Sequence, residues 1–122
     1  MQPKTMVEYL LSFPSAESSY PFGPDAEVFK VMGKMFALVA EHKGKMRVTL
    51  KGMPVDNSLL VSQFEGIIPG YHMNKQHWIT VELAGDVPVP MLEDLASRSY
   101  KLVASKLTKA EKDRLRLQGA EC

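Results

Sequence analysis

Cysteine occurs once in the 122 residues, as Cys122, so no intrachain disulfide framework holds the chain and a reducing compartment is expected. The cytoplasm is the expected location. No apolar run approaches the ~18 residues of a membrane span, nothing at the amino end reads as a secretory signal, and no membrane partner is expected. The G-x-G-x-x-G and Walker sequences are also missing, which leaves a nucleotide cradle without support. No G-x-S-x-G elbow surrounds Ser15, Ser18 or Ser19, and Cys122 sits on a polar tail without a positioned base, so no catalytic nucleophile stands out. There are only three histidines, His42, His72 and His77, and none has helical ligand spacing with a glutamate. Glu93 and Asp94 open a helix, where acidic residues favour the macrodipole rather than mark a catalytic pair. The chain reads as a non-enzyme, with no metal and no cofactor expected.

An excess of one charge sign is lacking too. The net charge is +1 and the isoelectric point about 7.8, below the basic values of committed nucleic-acid domains. The distribution is uneven. Residues 28–53 carry six cations against one carboxylate, whereas 1–27 and 54–89 each carry one cation against four carboxylates. Such a centre can form a local positive patch. Equally, its lysines can keep solvent-facing strands soluble and their edges unpaired.

What is present is the composition of a folded domain: 45% hydrophobic and 24% charged residues. Thr5 to Glu8 has capping-box spacing, Met6, Val7, Leu10 and Leu11 make an apolar stripe, and Phe13-Pro14 stops the helix. Residues 14–25 are rich in Pro, Ser and Gly, and two buried aromatics, Tyr20 and Phe22, would order that loop. Glu27–Met32 and Phe36–Glu41 read as strands separated by a tight turn at Gly33-Lys34. Met46, Val48 and Leu50 alternate with Arg47, Thr49 and Lys51, the period of a half-buried strand, entered through a hairpin tip at Lys43-Gly44-Lys45. A helix capped by Asp56 or Ser58 follows, with Leu59, Leu60, Phe64 and Ile67 as its stripe.

After a break at Pro69-Gly70, Asn74-Lys75 reads as a second hairpin tip. Ile79, Val81 and Leu83 then alternate with Trp78, Thr80 and Glu82. Leu92, Leu95, Ala96, Ser99, Leu102, Val103 and Lys106 fall at helical spacing. Thr108 to Glu111 is another capping box, opening a short charged helix that docks weakly or frays. The order α-β3-α-β2-α predicts an α+β two-layer sandwich, with one antiparallel five-stranded sheet covered by helices on one face. Residues 1–107 form a single domain and 108–122 a charged helix or tail.

The segment from Ile68 to Trp78 gathers Tyr71, His72, Asn74, Lys75, Gln76, His77 and Trp78 beside a turn. If Ile79, Val81 and Leu83 face the core, strand parity turns Trp78 to the other side, as it turns Arg47, Thr49 and Lys51 outward. An outward indole near cations offers stacking area and cation–π attraction. The competing reading packs Trp78 under the long loops and bonds Tyr71 to a backbone carbonyl.

Tyr20-Pro-Phe-Gly-Pro24 with Val28-Phe-Lys-Val-Met-Gly-Lys-Met-Phe-Ala-Leu38 resembles the first signature of the MmcQ/YjbR family. Pro69 to Trp78 is similar to its second signature, and Ser99-Tyr-Lys-Leu-Val103 to its third, with departures from the usual pattern at Gln76 and Lys101. The resemblance implies a CyaY-like, or secretion-chaperone-like, fold. It also implies a DNA-binding label from a "double wing" of two projecting β-hairpins. On that reading Lys34, Lys43, Lys45, Arg47 and Lys75 meet phosphates of double-stranded DNA, Asn74 or Gln76 reads an adenine edge, and His77 and Trp78 lie alongside. Five phosphate contacts give a log–log salt slope of about −4 to −5 and non-specific dissociation constants of roughly micromolar or weaker. The two tips must then stand together over the uncovered sheet. The alternatives are a protein-interaction or self-association module using the open face around Trp78, and a small-ligand site around Tyr71, His72, Asn74 and His77.

Overall fold

The computed structural model describes residues 1–70 and 74–117. In chain order the elements are α1 (Pro3–Leu11), β1 (Ala16–Ser19), β2 (Ala26–Val31), β3 (Lys34–His42), β4 (Lys45–Lys51), α2 (Pro54–Gln63), β5 (Ile67–Pro69), β6 (Trp78–Glu82), α3 (Val89–Ser105) and α4 (Lys109–Leu117). The strands form one antiparallel sheet in the order β1-β2-β3-β4-β6-β5. This is the expected α+β class with six strands rather than five. The extra strand, β1, is Ala-Glu-Ser-Ser, which has neither alternation nor β-branched residues; pairing with β2 alone makes it a strand.

Two residues of positive φ join β2 to β3 (Met32 at +48°, Gly33 at +80°) and two more join β3 to β4 (Lys43 at +53°, Gly44 at +78°). Both are two-residue hairpins whose twist matches that of the strands. Between Phe29 and Lys30 the β2–β3 register shifts, and Phe36 is the extra residue on β3. The bulge turns Phe36 to the same side as Ala37, and both are fully buried.

Proline, not a side-chain cap, sets the start of the first three helices. The expected Thr5–Glu8 box is absent because α1 already begins at Pro3, which leaves Thr5 inside the helix. Asp56 and Ser58 likewise fall within α2, which starts at Pro54. Of its expected stripe Leu60 is buried, Leu59 points to solvent at 55% exposure, and Ile67 belongs to β5. The Thr108–Glu111 box does form: Thr108 N–H donates to Glu111 Oε1 at 2.9 Å, and Glu111 N–H to Thr108 Oγ1 at 3.2 Å. The helix it opens, α4, is anchored rather than frayed, because Leu115 is fully buried in the common core.

Helices α1, α2 and α3 cover one face of the sheet. Met6 and Leu10 of α1, Leu60 of α2, and Leu92, Leu95, Ala96 and Val103 of α3 pack on Phe29, Ala37, Val39, Val48, Leu50, Ile79 and Val81. Phe13 stacks on Tyr100 at 4.8 Å and meets Phe36 edge-on at 6.0 Å, while Tyr100 Oη donates to the Pro14 carbonyl at 2.6 Å. Ser99 of α3 is fully buried; its hydroxyl donates to the Phe36 carbonyl at 2.5 Å and accepts the Lys51 N–H at 2.8 Å. Tyr20 and Phe22, expected to be buried, are 53% and 75% exposed. They sit in the β1–β2 connection.

Candidate binding face

Strand register decides which side chains share the face opposite α1, α2 and α3, which is free of helices among the described residues. Leu38 lies opposite Thr49, Thr49 opposite Thr80 and Thr80 opposite Ile68, in line across four strands. The neighbouring row, Val39, Val48, Val81 and Ile67, is in the core. Residues two apart share a face, so Lys45, Arg47, Thr49 and Lys51 of β4 stand together, with Trp78, Thr80 and Glu82 of β6 beside them. The parity expected for Trp78 therefore holds. The indole is half-buried on the face away from the helices.

The middle of this face is closed by a polar pair: Thr49 Oγ1 and Thr80 Oγ1 lie 2.9 Å apart, both buried. Lys51 Nζ sits 5.9 Å from the centroid of the Trp78 ring, within cation–π range. At the other end Lys45 Nζ reaches Glu82 Oε1 at 3.3 Å. Between them Arg47, paired in register with Ala40 and Glu82, has its Nε shut from solvent with no hydrogen-bond partner. Lys30 of β2 shares the parity of Val28 and stands on the same face. Leu38 and Ile68 add half-buried apolar surface.

The two hairpin tips do not stand together. The Lys43-Gly44 turn projects beyond the His42–Lys45 pair, at the end of the sheet where Arg47 meets Glu82. Residues 74–77 lead into Trp78, at the end where Lys51 meets Trp78. Six residues of strand, about 20 Å, separate Lys45 from Lys51, and the tips point in opposite directions. The paired-tip geometry expected of the double wing is thus corrected for these two hairpins, because antiparallel pairing of β4 with β6 puts their turns at opposite ends.

Individual tip residues also fall differently from expectation. Asn74 Oδ1 accepts the N–H groups of Gln76 (2.9 Å) and His77 (3.3 Å), closing its own turn. That oxygen is therefore taken within the turn, and only the Nδ2 group of Asn74 is left for the adenine edge that Asn74 or Gln76 is expected to read. Lys75, Gln76 and His77 are exposed. Lys34 pairs in register with core-facing Val31, on the helical side, where its charge helps lower the Glu111 carboxyl pKa, an effect led by the Thr108 backbone hydrogen bond. It does not join the face. The Tyr71 and His72 ligand surface, like Cys122, lies outside the described residues.

Sequence reasoning missed the residues that hold the site in place. Asn57 is buried, and its Nδ2 donates to the carbonyls of Gly52 (3.2 Å) and Gln76 (3.1 Å), while Gly52 N–H donates to the His77 carbonyl at 2.9 Å. The turn before Trp78 is thereby tied to the start of α2, and a Cβ at Gly52 would collide with Asn57 Oδ1. Asp86 ties down the other end of the β5–β6 hairpin by accepting the N–H groups of Gly66 (2.8 Å) and Glu65 (2.9 Å). The Gly66 hydrogen bond leads in holding its carboxyl below the usual range. An asparagine in a helix and an aspartate in a loop carry no sequence mark of such work.

Among the described residues no group of three or more His, Cys, Asp or Glu side chains converges as metal ligands would, and no helix is long and apolar enough to cross a membrane. The family model described as YjbR matches residues 11–102. An uncharacterised Escherichia coli O157:H7 protein, YbdF, is 38% identical over 113 residues, covering 93% of each chain. The uncharacterised YjbR of Escherichia coli K12 is 34% identical, covering 93% of this chain and 95% of its own. Among solved structures, a Deinococcus radiodurans protein with a DUF419 domain superposes with a TM-score of 0.83 at 35% identity, over 93% of this chain and 90% of the other. A Pseudomonas syringae protein does so at 0.76 and 27% identity, over 84% and 99%.

Proposed function

The chain belongs to the YjbR family, and from that premise we propose that it binds nucleic acid weakly through the helix-free face of its sheet. A strand laid along β4 has its phosphates on Lys45, Arg47 and Lys51 and one base against Trp78. The observation that carries this reading is the row of cations Lys45, Arg47 and Lys51 on one face of β4, with the Trp78 ring 5.9 Å from Lys51 Nζ. Phosphate oxygens accept charge-assisted hydrogen bonds from such cations. Lys51 and Trp78 add a cation beside a stacking surface, the combination that holds single strands without sequence preference.

Magnitude limits the affinity. Three or four cations give a salt slope of roughly −3 to −4 on duplex and −2 to −3 on single strands, with dissociation constants of about 1–100 μM at physiological salt. Glu82, which now pairs with Lys45, must give it up. The test is anisotropy of labelled single- and double-stranded oligonucleotides at low and physiological salt, with Trp78 fluorescence read alongside. Arg47→Glu and Lys51→Glu are expected to weaken binding at least tenfold, while Lys43→Glu and Lys75→Glu at the two tips change it less than threefold. Equal affinity of the face variants and the parent chain would refute the reading.

A protein partner is a second reading of the same face, favoured by Leu38 and Ile68, whose half-buried side chains flank Thr49 and Thr80. Binding to this face that ignores both salt and Arg47→Glu would support it.

A further inference from the structure

The cations of the binding face stand in one file, and the strands beside that file carry none to match it. Residues two apart along β4 are about 7 Å from one another on this face, so Lys45, Arg47 and Lys51 line a single strand. On β6 the side chains next to them are Glu82, opposite Arg47, and Trp78, opposite Lys51. Glu82 already holds Lys45 at 3.3 Å. Beyond β6, β5 sets Ile68 on this face, opposite Thr80. On the other side β3 contributes Leu38 and Ala40, opposite Thr49 and Arg47. The next cation, Lys30 of β2, is two strands from β4 and directly opposite Glu17 of β1.

We infer that the nucleic acid this face takes is single-stranded and that duplex is the poorer ligand, an inference that rests on the reading of the face given above. A duplex presents two phosphate backbones, separated by grooves about 6 and 12 Å wide. Neighbouring strands of a sheet are about 4.8 Å apart. With one backbone along β4, the other therefore falls about one to three strands away. Towards β6 and β5 it meets Glu82 and Ile68; towards β2 and β1 it meets Lys30, which Glu17 opposes. Among the described residues neither side offers a second file of cations, and each offers a carboxylate that repels phosphate. The charges serve one backbone.

Trp78 favours the same ligand. Its ring is half-buried, with Lys51 Nζ 5.9 Å from the centroid, so a phosphate-binding charge lies beside a stacking surface. A base stacks on an indole only when its own face is free. In a single strand it can turn outward, whereas in duplex both faces are covered by neighbouring base pairs. Base–aromatic stacking strengthens binding by a factor of about five or more per base, and a duplex forgoes it.

Trp78 is the single tryptophan of the chain, so its fluorescence reports stacking directly. The full chain is titrated with a labelled oligonucleotide of mixed sequence, alone and annealed to its complement, at equal low salt. The single strand is expected to bind at least about fivefold tighter than the duplex and to quench the indole, which the duplex leaves bright. Trp78→Leu keeps apolar volume without a π face. Checked for folding by circular dichroism, it is expected to weaken single-strand binding at least about fivefold and duplex binding less than about twofold. Duplex that binds as tightly as the single strand, or quenches the parent's indole as strongly, overturns the inference, as does an equal loss on both forms in Trp78→Leu. In those cases the reading of the face still stands if Lys51→Glu weakens both forms. Absence of binding, or binding that ignores both Arg47→Glu and Lys51→Glu, instead refutes the reading of the face, and the inference falls with it.

Discussion

Removing one hydroxyl at Ser99 should unpair two backbone groups at once. Phe36 is the extra residue of the β3 bulge, and the Ser99 hydroxyl donates to its carbonyl while accepting the N–H of Lys51, the last residue of β4. Ser99→Ala keeps the helix former and the small volume, so packing is almost unchanged. What it loses is the partner of one buried acceptor and one part-buried donor, at about 1–3 kcal/mol each. Some relaxation at the strand end reduces the sum, and we expect a loss of about 2–4 kcal/mol. For a domain of this size 1 kcal/mol moves the melting temperature by about 3–5 °C, so the midpoint should fall by roughly 6–20 °C. Urea titration at constant m-value gives the free energy, and amide exchange at Lys51 gives the location. Ser105→Ala, whose hydroxyl bonds only its own helix at the surface, is the control and should stay within about 0.5 kcal/mol. If Ser99→Ala falls in the same band as the control, the hydroxyl does not bridge the bulge and the argument fails.

Two further expectations concern the turns and loops. Lys43 holds a φ of +53° at the first position of a two-residue turn before Gly44, where a lysine side chain is strained and asparagine is favoured. Lys43→Asn should raise stability by about 0.5–1 kcal/mol without weakening nucleic-acid binding, and a fall in melting temperature would contradict the turn assignment. Asp86 is held below its ordinary pKa by the backbone N–H groups it accepts, Gly66 first. Its stabilising contribution is therefore complete above the unfolded value of about 3.9 and is lost as the pH falls through the folded value. Urea midpoints of the parent chain and Asp86→Asn should differ at pH 7 and converge below pH 4; a gap independent of pH would refute the linkage.

Much of the architecture was written in side-chain periodicity. The alternation along β4 and β6 places Val48, Leu50, Ile79 and Val81 in the core and turns Trp78, Arg47 and Lys51 outward, as parity predicts. Burial of Leu92, Leu95, Ala96, Ser99 and Val103 matches the spacing along α3. Periodicity fails where pairing rather than patterning makes the element, as in β1, and where apolar residues lie on both sides of a helix, as in α2. It also says nothing of direction. Both tip segments were legible as turns, but whether they share an end of the sheet depends on β6 pairing with β4 rather than with another strand, a tertiary fact absent from local sequence. Asn57, Asp86 and Ser99 escape for a related reason: each bonds backbone far away in the chain, and nothing in their own neighbourhoods announces it.

The borders of the sheet carry a consequence for how the protein behaves when concentrated. One border is β1, four residues of which three are polar and exposed; the other is β5, three residues ending in Pro69, which has no N–H to donate. A molecule meeting either border finds too few free backbone groups to template a growing ladder. Crowding is therefore expected to yield neither strand-swapped aggregates nor fibres.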